Sequence, residues 1–135
     1  KPNDYTHQYF GQTVSLYGDK LAVGSKGERS GQNYISNNNT SSSDTSKSNS
    51  GAVFIFQRTG TSWAQQSYIK ALNVDSYDVF SGGYDGTSGL SLNDYTLSVG
   101  APHEDSNQAT ITNDNSTASS NNSIPSSGAV YIYSR

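Results

Sequence analysis

Gly51-Ala52-Val53-Phe54-Ile55-Phe56 returns seventy-seven positions later as Gly128-Ala129-Val130-Tyr131-Ile132-Tyr133. The first copy is apolar throughout, rich in β-branched and aromatic residues, and too short for an ordinary helix. It reads as a strand buried on both faces. Its return at a fixed spacing makes the chain a tandem repeat of one sheet unit.

Upstream of the first copy, Val14 and Leu16 alternate with polar neighbours, Gly18-Asp19 follows, and Lys20-Leu21-Ala22-Val23-Gly24 alternates again. The pattern predicts a hairpin of half-buried strands closed by a tight turn. At an offset of seventy-six the same features recur: Leu90 and Leu92 stand for Val14 and Leu16, Leu97 and Val99 for Leu21 and Val23, and Glu104 for Glu28. Phe80 matches Phe10, with six extra residues after it around Ser81 to Gly86. Downstream of the first copy, Arg58-Thr59-Gly60-Thr61 turns into a fourth strand over Ser62 to Ala71, with Trp63 and Ile69 on one face and Ala64 and Tyr68 on the other. The second copy reaches Arg135, the counterpart of Arg58, with no residues for that strand. Seven strands are expected, the last with an open edge of the kind natural proteins cover.

Between the hairpin and the apolar strand of each copy lies a long polar loop, residues 25–50 and 101–127. Loops beyond about 12–15 residues are uncommon in compact domains and tend to carry function or disorder. Ser, Thr and Asn together supply 49 of the 135 residues, which favours turns and strand surfaces over helix interiors. The apolar set, Gly included, is 33 % of the chain against a typical ~45–50 %, so any core is small or shared. Cys and Met are absent. That excludes disulfides and thiolate chemistry, and the missing initiator Met reads as processing or as a piece of a longer chain. No apolar run is long enough for a membrane helix. The scattered Lys and Arg, with a net charge of −3, give no footprint for nucleic acid.

The repeat resembles the FG-GAP repeat, the blade unit of integrin-type β-propellers and of many bacterial surface proteins, over roughly residues 9–135. Phe10-Gly11 supplies the opening pair, Gly100-Ala101-Pro102 the closing triplet, and Ser-Gly-Ala-Val with alternating aromatic and Ile residues occurs in both copies. The bacterial branch fits best, through Leu16-Tyr17-Gly18-Asp19-Lys20-Leu21-Ala22-Val23-Gly24. The resemblance implies an all-β fold of two consecutive propeller-like blades, residues 1–78 and 79–135, the second lacking its fourth strand. It also brings calcium as the one cofactor to consider. The family's calcium loop has here shrunk to Tyr17-Gly18-Asp19-Lys20 and Asn93-Asp94-Tyr95, which cannot supply the six to eight oxygens the ion takes. A closed propeller takes about 4–8 blades, so two copies do not close one alone.

Candidate sites are few. His103-Glu104-Asp105, with Asp114, is the densest ionisable cluster. Glu104, Asp105 and Asp114 are its metal candidates, set against a plain solvated loop without the usual metal spacing. Asp85-Gly86 reads as a bulge or a calcium-loop remnant. No Gly-x-Ser-x-Gly elbow occurs and His7 and His103 are isolated, so no catalytic residue is assigned and the chain reads as a non-enzyme. Trp63 and the ten Tyr form either a sheet core or a sugar platform. Asn38, Asn39, Asn115 and Asn121 head Asn-x-Ser/Thr glycosylation triplets.

Three functions remain open. One is a structural or adhesive module of an extracellular surface protein or fibre, completed by copies of itself or by further repeats. A second is a ligand-binding module that recognises a glycan or protein through loops 25–50 and 101–127. A third is an accessory domain of a larger secreted enzyme.

Overall fold

The computed structural model describes residues 6–83, 85, 87–112 and 118–134. Seven strands form two antiparallel sheets, with no helix among the described residues. Sheet one has the order β1-β2-β3-β4, with β1 Phe10–Tyr17, β2 Lys20–Ser25, β3 Ala52–Thr59 and β4 Ser62–Ile69. Sheet two has the order β5-β6-β7, with β5 Leu90–Leu92, β6 Thr96–Ala101 and β7 Ala129–Ser134. The apolar runs and their turn signals explain this layout. Gly18 (φ 55°) and Gly60 (φ 61°) supply the left-handed backbone of two tight turns. In the third turn the Asn93 side chain accepts the N–H groups of Tyr95 and Thr96.

The pairing register makes the repeat a physical one. Val14, Val23 and Phe54 lie side by side across β1, β2 and β3, and Leu90, Val99 and Tyr131 do the same across β5, β6 and β7. The opposite face carries Ser15, Ala22 and Ile55 in sheet one and Ser91, Ser98 and Ile132 in sheet two. The main core lies between the sheets. It joins Ala22, Val53, Ile55 and Ile69 of sheet one to Leu90, Leu97, Val99, Tyr131 and Tyr133 of sheet two, with Phe80 among them. A second cluster, Ala52, Phe54 and Tyr68 with Phe10 and Phe56, lies on the far face of sheet one. Phe10 meets Phe54 edge-on at 5.4 Å between ring centroids, and Phe80 meets Tyr131 edge-on at 5.3 Å, a preferred aromatic geometry placed twice by the repeat.

Two expectations are corrected. Val14 and Leu16 are not half-buried: they are 58 % and 63 % exposed. The reason is which side of β1 meets sheet two. Thr13 and Ser15 face inward, where the Leu92 N–H donates to Ser15 Oγ at 3.0 Å and Thr13 Oγ1 donates to the Ser81 carbonyl at 2.8 Å. The other correction concerns β4. A bulge pairs Ile55 with Ser67 and Phe56 with Gln65, leaving Gln66 as an extra residue. It puts Trp63 on the face of Tyr68 and moves Ile69 to the other, against the simple alternation. Trp63 is partly exposed beneath the Arg58 guanidinium, 5.6 Å from its ring centroid.

The edge of β4 is covered. Ser36, in the middle of the first long loop, exchanges backbone hydrogen bonds with Tyr68 at 2.8 and 2.9 Å. β7 pairs only with β6 among the described residues.

Phe80 is fully buried and Leu16 is open to solvent. Phe80→Ala is expected to lower the unfolding free energy by about 3–5 kcal/mol, and Leu16→Ala to change it by no more than about 0.5 kcal/mol. Urea unfolding followed by tyrosine and tryptophan fluorescence measures both.

Candidate functional site

Each long loop is closed on the sheet by a buried glutamate. In the first repeat Glu28 Oε1 accepts the Ser30 N–H at 3.0 Å, and Ser50 Oγ lies 3.1 Å from the carbonyls of both Glu28 and Ser30. The Gly51 N–H donates to the Glu28 carbonyl at 3.0 Å. In the second repeat Glu104 Oε2 accepts the Ser106 N–H at 3.1 Å and its hydroxyl at 2.7 Å. Ser127 Oγ reaches the carbonyls of Glu104 and Ser106 at 3.0 and 2.7 Å, and the Gly128 N–H reaches the Glu104 carbonyl at 2.9 Å. These are one construction made twice. It satisfies loop backbone groups that would otherwise be costly to bury.

The two hubs differ in the partner of the carboxylate. Lys70, fully buried, places its ammonium 2.7 Å from Glu28 Oε2 and donates to Ser50 Oγ at 2.7 Å and to the Gly51 carbonyl at 2.6 Å. Burial pushes this ammonium down from the ordinary lysine range, and the Glu28 charge opposes the shift. Glu104 instead receives Asn73 Nδ2 at 2.7 Å. The same amide donates to the Ser119 carbonyl and accepts the Tyr131 hydroxyl at 2.6 Å, fastening the second hub to the segment after β4. Burial holds the phenols of Tyr131 and Tyr133 above their ordinary range.

Asp78 completes this buried polar layer. Burial first, then the charges of Glu104, Asp75 and Asp105, push its carboxyl up to about 6, although the Asp75 N–H donates to it at 2.7 Å. Asp75 itself is held low by Lys47, 2.8 Å away, and also receives Asn122. Lys47 lies in the first long loop and Asn122 in the second, so Asp75 ties both loops to one linker.

The metal candidates do not converge. Glu104 is buried in its hub, whereas Asp105 turns to accept the Ser126 N–H at 2.6 Å. Asp114 lies outside the described residues. No group of three or more His, Asp or Glu side chains fit to hold a metal forms among the described residues. The solvated-loop alternative also fails for Glu104, whose burial follows from its place as the counterpart of Glu28. His103 Nδ1 lies 3.3 Å from Ser126 Oγ at an exposed position. Asp85 Oδ1 accepts the N–H and hydroxyl of Thr87 at 3.1 and 2.7 Å, inside an excursion closed by the Gly82–Ser88 bridge; Gly86 lies outside the described residues. Asn38, Asn39 and Asn121 are exposed, and Asn115 lies outside the described residues.

The surface of the described residues includes two grooves. One, of about 450 Å³, is lined by Gly82, Gly89, Gly100, Gly128 and Val130 on the outer face of sheet two. The other, of about 400 Å³, runs beside β7 past Ile55, Ile69, Leu92 and Tyr133. Lys70, Asn73 and Asp78 were not singled out from sequence. The available signal was a lysine directly after the apolar end of β4, a place where a charge needs a partner. Comparison of the chain with known protein families, with curated proteins and with solved structures gives no match.

Lys70→Met strands a buried carboxylate and is expected to cost about 3–5 kcal/mol, while adding Glu28→Leu recovers part of that loss. A double-mutant cycle in urea measures the coupling. Asp78 has its folded pKa above the unfolded value near 3.9, so its contribution to stability is full below about pH 4 and is lost as pH rises through about 6. Asp78→Asn is expected to flatten that limb of the stability–pH curve, a change on the order of 3 kcal/mol.

Proposed function

We propose that this chain is a non-enzymatic structural or adhesive module of an extracellular surface protein or self-assembling fibre, built from two FG-GAP-like, propeller-type blades. The observation that carries the reading is the fate of equivalent residues. Val53 and Ile55 are 0 % and 8 % exposed where the second sheet covers them, and their counterparts Val130 and Ile132 are 71 % and 69 % exposed. Leu90 is buried against the first sheet, and its counterpart Val14 is open. The two ends of the pair thus present the two halves of a contact that is already made once in its middle. Isolated apolar residues on a surface are ordinary, whereas a repeated apolar face left open marks an interaction surface. A head-to-tail contact of this kind generates rings or filaments.

A second reading has its own observation. The two long loops meet at Asp75 and hold exposed Asn38, Asn39 and Asn121 at the surface. Recognition of a glycan or protein through loops 25–50 and 101–127 would then be the activity, and loop deletion would abolish binding to a surface while leaving the assembly state unchanged.

Light scattering across a dilution series, with and without a chelator, tests the first reading. Regular oligomers or filaments whose mass rises with concentration and resists the chelator are expected. A compact monomer at every concentration would overturn it and leave the loops as the functional surface.

A further inference from the structure

Residues 7–11 carry the backbone shape that the second repeat uses to dock on the first, with no preceding repeat against them among the described residues. In the docked segment, Tyr77, Val79 and Ser81 have φ of 73°, 57° and 97°. Seventy positions earlier His7, Tyr9 and Gly11 have φ of 61°, 53° and 88°. Positive φ is uncommon for non-glycine residues, and at a β-branched residue such as Val79 it is an outlier.

The docked segment offsets that strain with backbone hydrogen bonds. The N–H groups of Tyr77, Val79 and Phe80 donate to the carbonyls of Ser48, Asn49 and Ser50 at 2.8, 3.1 and 3.1 Å. Gly51 is glycine for the same reason: a Cβ there would lie 2.1 Å from the Phe80 carbonyl oxygen. The acceptor side of this joint recurs at the other end of the chain. Ser126 (φ 53°) and Gly128 (φ 75°) repeat the backbone of Asn49 (φ 51°) and Gly51 (φ 83°). No atom lies closer than 3.5 Å to a Cβ built on Gly128, and this glycine lines the 450 Å³ groove. The carbonyls of Pro125, Ser126 and Ser127 and the N–H groups of His7 and Tyr9 have no partner among the described residues. Beside them Gln8 is buried with both amide atoms unpartnered among those residues.

We propose that residues 7–11 of a second copy of this chain dock on residues 125–128 of the first, and that the Val14–Leu16 face of the second copy covers the Val130–Ile132 face of the first. This deepens the structural-module reading and rests on it, naming the joint and its occupant. The N–H groups of His7, Tyr9 and Phe10 take the carbonyls of Pro125, Ser126 and Ser127, as Tyr77, Val79 and Phe80 take theirs within the chain. Ser91 Oγ takes the Leu16 N–H, as Ser15 takes that of Leu92. The copy joint lacks some polar links of the internal one. Gly89 stands where Thr13 donates to Ser81, and Pro102 where Lys26 reaches the Gly83 carbonyl. Assembly is therefore reversible on dilution.

The chain has no cysteine, so engineered ones are unique. Chains carrying Ser91→Cys and Leu16→Cys, mixed under mild oxidant, are expected to give a disulfide-linked dimer that neither gives alone. Ile132→Lys and Leu16→Lys, both at exposed positions, are each expected to hold the chain monomeric. Their equimolar mixture is expected to form dimers and nothing longer, since one good joint remains. Gly100→Val provides a second block on the groove: its Cβ would meet only Gly89, at 3.6 Å, within the same chain. Urea midpoints equal to that of the unmodified chain, all taken at a dilution where it too is monomeric, show that the fold is intact. If the unmodified chain assembles but these variants assemble equally and no cross-link forms, the joint is overturned and the module reading stands. A monomeric unmodified chain overturns both.

Discussion

The main core belongs to neither sheet alone; the facing sides of the two sheets keep each other dry. Sheet one offers Ala22, Val53, Ile55 and Ile69, sheet two offers Leu90, Leu97, Val99 and the rings of Tyr131 and Tyr133, and Phe80 closes the space between them. With an apolar content this low, the larger of the two clusters is shared between the units, and only the smaller one lies within the first. The rest follows from that contact. β1 turns Thr13 and Ser15 inward because β5 lies against them, and Val14 and Leu16 are left outside. The second repeat enters over Gly51 because only a glycine leaves room for the Phe80 backbone.

The polar half of the structure obeys a parallel rule. Two loops of more than twenty residues contribute few apolar side chains, and they are held instead by buried carboxylates that collect backbone N–H groups and serine hydroxyls. Burying a carboxylate is costly unless hydrogen bonds and a counter-charge compensate it. Glu28 obtains both, through Ser30 and Lys70. Glu104 obtains neutral donors from Ser106 and Asn73. Because Lys70 and Asn73 sit on the segment between the sheets, the same residues that satisfy the carboxylates also fix how the second repeat leaves the first. Loop order, linker path and sheet packing are one coupled network, and coupled networks of this type respond non-additively to substitution.

The two repeats are equal in backbone and unequal in surroundings. Phe54 is closed over by Phe10 and Tyr68, whereas Tyr131 and Tyr133 lie at an edge and use their hydroxyls to reach Asn73 and the Lys70 carbonyl. The replacement of Phe by Tyr at both positions of β7 matches that difference, since a ring with one wet or bonded end suits a half-covered site.

The sequence by itself determined the strands, their turns and their duplication. Apolar alternation, Gly-containing turns and the return of Gly51–Phe56 as Gly128–Tyr133 are local properties, and the observed strands β1 to β7 follow them closely. It also determined that Glu28 and Glu104 are counterparts. What only the tertiary structure decided is which side of each strand is dry and what each carboxylate meets. Alternation gives two faces but no sign: Val14–Leu16 and Thr13–Ser15 are equally good patterns until β5 arrives on one of them. The bulge at Gln66 exchanged the faces of Trp63 and Ile69, because a single extra residue reverses a period of two. Lys70 and Asp78 gained their buried partners from elements far along the chain, and no local spacing encodes such a meeting. Burial is a property of what lies opposite, and in a repeat protein that is the neighbouring unit.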